Sequence, residues 1–252
     1  MIVDTHVHVG IGQYVLVEEL LKQLDKYGVE KAVLIQYRRG LGPIGNTDNT
    51  YISECVRKHP SRLAAVGIVD WTKDDAPQRL EYWVKTHGIR GIRRDGSALS
   101  PGSDRYAIWR KAAQLGAIAS VSGRLDSISL IAKQFRDLII HIEHTGMPKM
   151  NGEHVLTLAR YPNVFVKFTV SGLKGISNES YPHKDAQPFF EKVYQLFGPK
   201  RIMWGSNYPP VLSEEGYEKT LLFLRKEIPY LSAEDKEWLM GKTALEMWRF
   251  HQ

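Results

Sequence analysis

The sequence predicts a single (β/α)₈ barrel, an α/β fold of the TIM-barrel type, with an extra C-terminal helix. Three observations predict it. Eight short apolar, β-branched runs alternate with longer segments of helical periodicity. The runs are apolar on both faces, as the strands of a covered parallel sheet must be. No Gly-rich phosphate loop of the GxGxxG type follows the first run, which weighs against the alternative of an open doubly wound sheet. A chain of 252 residues is long enough for eight such units.

The first strand covers residues 2–9, IVDTHVHV, where period two puts Asp4, His6 and His8 on one face and Val3, Thr5 and Val7 on the other. Helix 17–27 follows, and the alternation continues with strand 31–36 and helix 48–59, then strand 63–69 and helix 76–86. Strand 89–93 with helix 106–115 and strand 117–122 with helix 128–135 make the fourth and fifth units. Strand 138–142 with helix 152–160, strand 164–170 with helix 185–197, and strand 202–205 with helix 217–227 complete eight. A last helix, 233–250, starts after Ser232 with Asp235 placed to complete a capping box, and its Trp238, Trp248 and Phe250 are expected on the barrel's outside. No linker or low-complexity tract divides residues 1–252, so one domain is expected.

Composition narrows the function classes. A single cysteine, Cys55, excludes an intrachain disulfide and a thiolate metal cluster within the chain, and reads as a small buried apolar residue. The net charge of +6 comes from scattered Lys and Arg, with no basic arm, zinc finger or aromatic RNA-binding signature, so no nucleic-acid partner is expected. The N-terminus MIVDTHVHVG lacks a signal-peptide pattern and no apolar run is long enough for a bilayer; a cytoplasmic protein without a membrane partner is the expectation. A homo-oligomer is left open.

Functional groups of a parallel barrel collect at the C-terminal ends of its strands. Two imidazoles one residue apart, His6 and His8, can converge on a divalent cation or be satisfied by hydrogen bonds alone. In IIHIEHTGMP, His144 is in phase with Ile140 and Ile142, while Glu143 faces the other way unless the strand has ended; His141 is expected to hydrogen-bond in the barrel wall. RIMWGSNYPP puts Ser206, Asn207 and Tyr208 at the mouth, in a segment that is equally good turn chemistry. Arg93, Arg124 and Lys167 add positive charge suited to holding a carboxylate, each arginine being as readily a solvated ion pair. The connections 37–46 and 171–183 are the long loops, where Tyr37, Arg38 and Tyr181 either touch substrate or pack loop against barrel.

Taken in order, DTHVHVG, IEHTGMP, VFVKFTVSGL and GPKRIMWGSNYPP resemble the amidohydrolase-related family of lactonases, aminocarboxymuconate-semialdehyde decarboxylases and aromatic-acid decarboxylases, over essentially the whole chain. The resemblance implies a (β/α)₈ barrel, hydrolysis or decarboxylation of small acids or lactones, and commonly one divalent metal, zinc or manganese. It assigns His6 and His8 as metal ligands, His144 as the sixth-strand histidine, and Asn207 to a position where many members carry aspartate. Ser122 stands where metal-dependent relatives often have a further histidine. An amide is a poorer ligand than a carboxylate and no general base, which keeps a metal-free lactonase open beside the metal-dependent one. His144, Glu143 and Asp4 are the candidate bases.

The expected function is opening of a lactone or similar activated carbonyl in a small anionic substrate. His6, His8, His144 and Asn207 form the reacting set, and Arg93, Arg124, Lys167 and Tyr208 bind substrate. A non-oxidative decarboxylase and a catalytically inactive acid-binding barrel are the alternatives.

Overall fold

The computed structural model describes residues 1–37, 44–97, 99–248 and 250. The first four units are β1 (Val3–Val7) and α1 (Val17–Lys26), β2 (Lys31–Ile35) and α2 (Thr50–Lys58), β3 (Leu63–Gly67) and α3 (Ala76–His87), β4 (Gly91–Arg94) and α4 (Ala107–Gln114). The fifth and sixth are β5 (Ile118–Val121) with α5 (Ile128–Gln134), and β6 (Ile140–Ile142) with the short α6 (Pro148–Asn151) and α7 (His154–Thr157). Then come β7 (Val164–Phe168) with α8 (Val170–Lys174) and α9 (Gln187–Phe197), and β8 (Ile202–Trp204) with α10 (Tyr217–Leu222); α11 (Ala233–Glu237) and α12 (Thr243–Met247) end the fold.

All strands run parallel in the order β1 to β8. The sheet closes on itself where Asn207 N donates to His6 O (2.9 Å) and His8 N to Tyr208 O (2.8 Å). This is the predicted (β/α)₈ barrel. The alternating strand residues divide into two apolar clusters. Ala32, Leu34, Ile92, Ala119, Ile140 and Val166 face the helices. Val33, Ile35, Ala64, Val66 and Ile118 fill the interior.

Three expectations are corrected. The β1 to β2 register shifts between Asp4 and Val7. That irregularity reverses the alternation: Val3 lies in the interior cluster and Val7 in the outer one. Asp4 therefore does not share a face with His6 and His8; its Oδ2 accepts from Tyr217 Oη of α10 (2.9 Å) and its Oδ1 from Ser206 N (2.9 Å). The 233–250 helix is broken into α11, a π turn over Trp238–Lys242, and α12, which stops at Met247. Trp248 is extended and turns under the barrel, into the interior cluster instead of the outside. The 152–160 segment is not one helix but α7 followed by a 3₁₀ turn. The Ser232–Asp235 capping box is present, and Cys55 is buried, which pushes its thiol up to about 11.

Candidate active site

Three histidines meet at the C-terminal end of the barrel. The shifted alternation aims His6 and His8 inward, with ring centroids 5.0 Å apart. His144 reaches them by a different route. β6 ends at Ile142, and His144 and Thr145 take positive φ (50° and 56°), a region that a β-branched threonine rarely enters. That turn breaks the strand phase and brings the His144 ring to 4.5 Å from His6. Asn151 Nδ2 holds the turn, donating to Gly146 O and Gly123 O, both at 2.9 Å. Gly205 lets β8 close beside β1, since a Cβ there would sit 2.6 Å from His6 Cβ.

Each imidazole has a distinct setting. His8 Nδ1 donates to Ile35 O (2.7 Å), which makes Nε2 its unprotonated nitrogen. His144 Nδ1 bonds Thr169 Oγ1 (3.1 Å), itself 3.0 Å from Ser171 Oγ. His6 is fully buried, and among the described residues neither ring nitrogen has a hydrogen-bond partner. Burial keeps all three neutral at pH 7: His6 lies well below the usual imidazole range, His8 falls to about 3 and His144 to about 4.

Beneath them runs a charged network. Glu143, in the inward phase of β6 with His141, accepts at Oε2 from Arg93 Nε (3.1 Å) and Nη2 (2.9 Å), and at Oε1 from Ser120 Oγ (2.8 Å). Burial alone would raise its carboxyl, but Arg93, Lys167 and His144 outweigh that and hold it at about 2. Lys167 Nζ donates to Ser120 Oγ (3.1 Å) above the Trp248 ring (5.7 Å), and burial lowers it to about 8. His141 lies inside the barrel near Trp248 (5.3 Å), and its hydrogen bond among the described residues is from Nε2 to Met247 Sδ of α12 (3.0 Å) and not to a group of the wall.

The expected substrate-binding set is mostly committed elsewhere. Arg93 is tied to Glu143 and to Gln36 O (3.0 Å). Lys167 is fully buried below the histidines. Arg124 is exposed and paired with Asp126 (2.6 Å). Tyr208 is buried in the outer cluster with its ring 5.8 Å from Tyr217. Tyr37 packs against Tyr14, which stacks on His8, and Tyr181 Oη donates to Lys219 O. Arg38 lies outside the described residues.

Asn207, at φ 63°, lines a cleft of about 240 Å³ with His144, Met147, Lys149 and Ser171. Asparagine is among the few residues that take this conformation readily. Glu143 stood only as a conditional base in the sequence, and Ser120, Thr169 and Lys149 were not singled out there. Strand phase was the available signal for the first two: Glu143 alternates with the outward Ile140 and Ile142, and Ser120 with Ala119 and Val121.

A divalent cation fits these residues. Ligand atoms of His6, Glu143 and His144 lie within 4.8 Å of one another, His8 stands beside them, and the unpartnered His6 nitrogens are the kind of buried polar atom that a cation satisfies.

Comparisons with known proteins agree with this architecture. An L-fucono-1,5-lactonase of Burkholderia ambifaria is 28% identical over 214 residues, covering 76% of this chain and 69% of the relative. The structure of a Pseudomonas putida protein named as a 2-pyrone-4,6-dicarboxylic acid hydrolase superposes with a TM-score of 0.77 at 21% identity, covering 100% of this chain and 98% of that one. A Burkholderia multivorans amidohydrolase with bound zinc superposes with a TM-score of 0.74 at 18% identity, covering 98% of both chains. The sequence pattern of the Amidohydrolase family matches residues 13–250, and the chain belongs to that family.

Proposed function

We propose that this protein hydrolyses a lactone, or a comparably activated carbonyl, in a small anionic metabolite. The observation that carries the reading is the convergence of three neutral imidazoles, one with both nitrogens unpartnered, beside a cleft of only about 240 Å³. That volume is below the range of drug-sized pockets and suits a small molecule. The lactonase name of the Burkholderia ambifaria relative supports an ester over an amide.

His144 is the proton carrier in this reading. Its Nδ1 is held by Thr169, which leaves Nε2 to take a proton from water as the water adds to the lactone carbonyl carbon. The bond from that carbon to the ring oxygen then breaks, and the proton passes to the departing alkoxide, giving the hydroxy acid. Asn207, on the same cleft, has an amide that can donate to the oxygen as it gains charge. Zinc or manganese, held by His6 and His8, would supply Lewis-acid polarisation of that carbonyl.

The test is proton release from a panel of neutral and carboxylate-bearing sugar lactones and pyrone carboxylates, with His144→Ala as control. At least one member is opened, and kcat falls by about 10²–10⁴ in the variant. Carbon dioxide release from an aromatic acid without lactone opening would replace this reading with decarboxylation; ligand binding without any turnover would replace it with a binding protein.

A further inference from the structure

The anionic end of the substrate needs a cation, and among the described residues the three cations expected to bind it, Arg93, Lys167 and Arg124, have partners. Arg93 serves Glu143, Lys167 is sealed under Ser120, and Arg124 is paired with Asp126 on the surface. The cleft beside His144 has its own lysine. Lys149, on α6 and five residues after His144, lines the cleft with Ser171 and Asn207. Among the described residues no carboxylate lines that cleft. Lys149 is exposed and makes no ion pair or hydrogen bond among the described residues, whereas nearby Lys174 is taken by Glu215 (3.3 Å). Its stem is held close to α8: a Cβ built on Gly175 would lie 3.6 Å from Lys149 Cβ.

We propose that Lys149 receives the carboxylate of the substrate, fixing the anionic end of the molecule on the α6 side of the cleft and its carbonyl towards His144. The identity of the ligand as a lactone rests on the function proposed above; its negative charge at this end rests on Lys149. A lysine with three rotatable donors and no carboxylate beside it takes a carboxylate without first giving up a partner. Among the described residues the cleft otherwise offers only neutral groups, so charge selectivity there concentrates on this one side chain.

Tricarballylate, a tricarboxylate with no bond to hydrolyse, tests the subsite apart from the reaction. Calorimetric titration shows binding to the unmodified chain. Lys149→Met weakens it by at least about tenfold, and Lys149→Arg keeps it within about threefold. Lys133→Met, in a basic groove formed with Arg136 and Arg160 elsewhere on the surface, leaves it unchanged. Equal affinity in Lys149→Met, equal loss in Lys133→Met, or no binding to the unmodified chain overturns the assignment. Lys149-dependent binding with no lactone opened would sink the hydrolytic reading while the subsite stands.

Discussion

Arg93 and Glu143 form a buried ion pair that joins β4 to the end of β6, two guanidinium nitrogens donating to one carboxylate oxygen at 2.9 and 3.1 Å. Both side chains are nearly or fully out of water, so the pair pays a desolvation cost that only an intact partnership offsets. Glu143→Gln leaves Arg93 as a buried uncompensated charge and is expected to destabilise the protein by about 3–5 kcal/mol in urea unfolding. Arg93→Met does the same to Glu143. The double variant Arg93→Met with Glu143→Gln is expected to be more stable than the sum of its parts, and strict additivity would show that the pair is not coupled.

The cation reading is tested by composition before activity. Protein purified without added metal is expected to carry near-stoichiometric zinc or manganese by elemental analysis, and His6→Ala with His8→Ala to carry none. Stripping with a chelator should lower the melting temperature of the parent chain, because a ligand at about 100 times its Kd stabilises by about 2.7 kcal/mol. The double variant should not respond. A parent chain that melts at the same temperature with and without zinc would remove the cation from the account.

Acid stability reports the start of the C-terminal segment. The Ser232 hydroxyl bonds Asp235 at 2.6 Å and, with Tyr194, holds its carboxyl below the usual range. The folded pKa is thus lower than the unfolded value of about 3.9. The stabilisation from this group is complete above that value and is lost as pH falls through the folded pKa. Asp235→Asn is expected to lower the melting temperature at pH 7 and to match the parent chain in the most acidic buffers, where Asp235 is protonated. A difference that stays constant from pH 7 to the acid limit would assign the effect to packing instead of charge.

How far the site could be read depended on how local its determinants were. His6 lies in β1 and His8 one residue past its end, and their spacing alone puts them on one face. His144 was in the outward phase by counting, and only the positive φ at His144 and Thr145 turned it to His6. Asp4 and Glu143 exchanged places with expectation, one turned out by a shifted register and the other carried in by an uninterrupted alternation. Lys167 read as unusual within an apolar strand; that Ser120 is its partner, and through Ser120 Oγ the Glu143 carboxylate, follows from the neighbouring β5 and β6.

The sequence by itself determined the eight βα units, the parallel barrel and the pairing of two histidines on the first strand, because hydrophobic period and side-chain alternation are properties of consecutive residues. Tertiary structure decided which charges are spent on one another, which face the cleft, and where Trp248 lies. Those outcomes depend on register shifts, on αL turns and on partners brought from distant strands. A buried charge takes the nearest partner that lowers its desolvation cost, and barrel closure sets which partner is nearest.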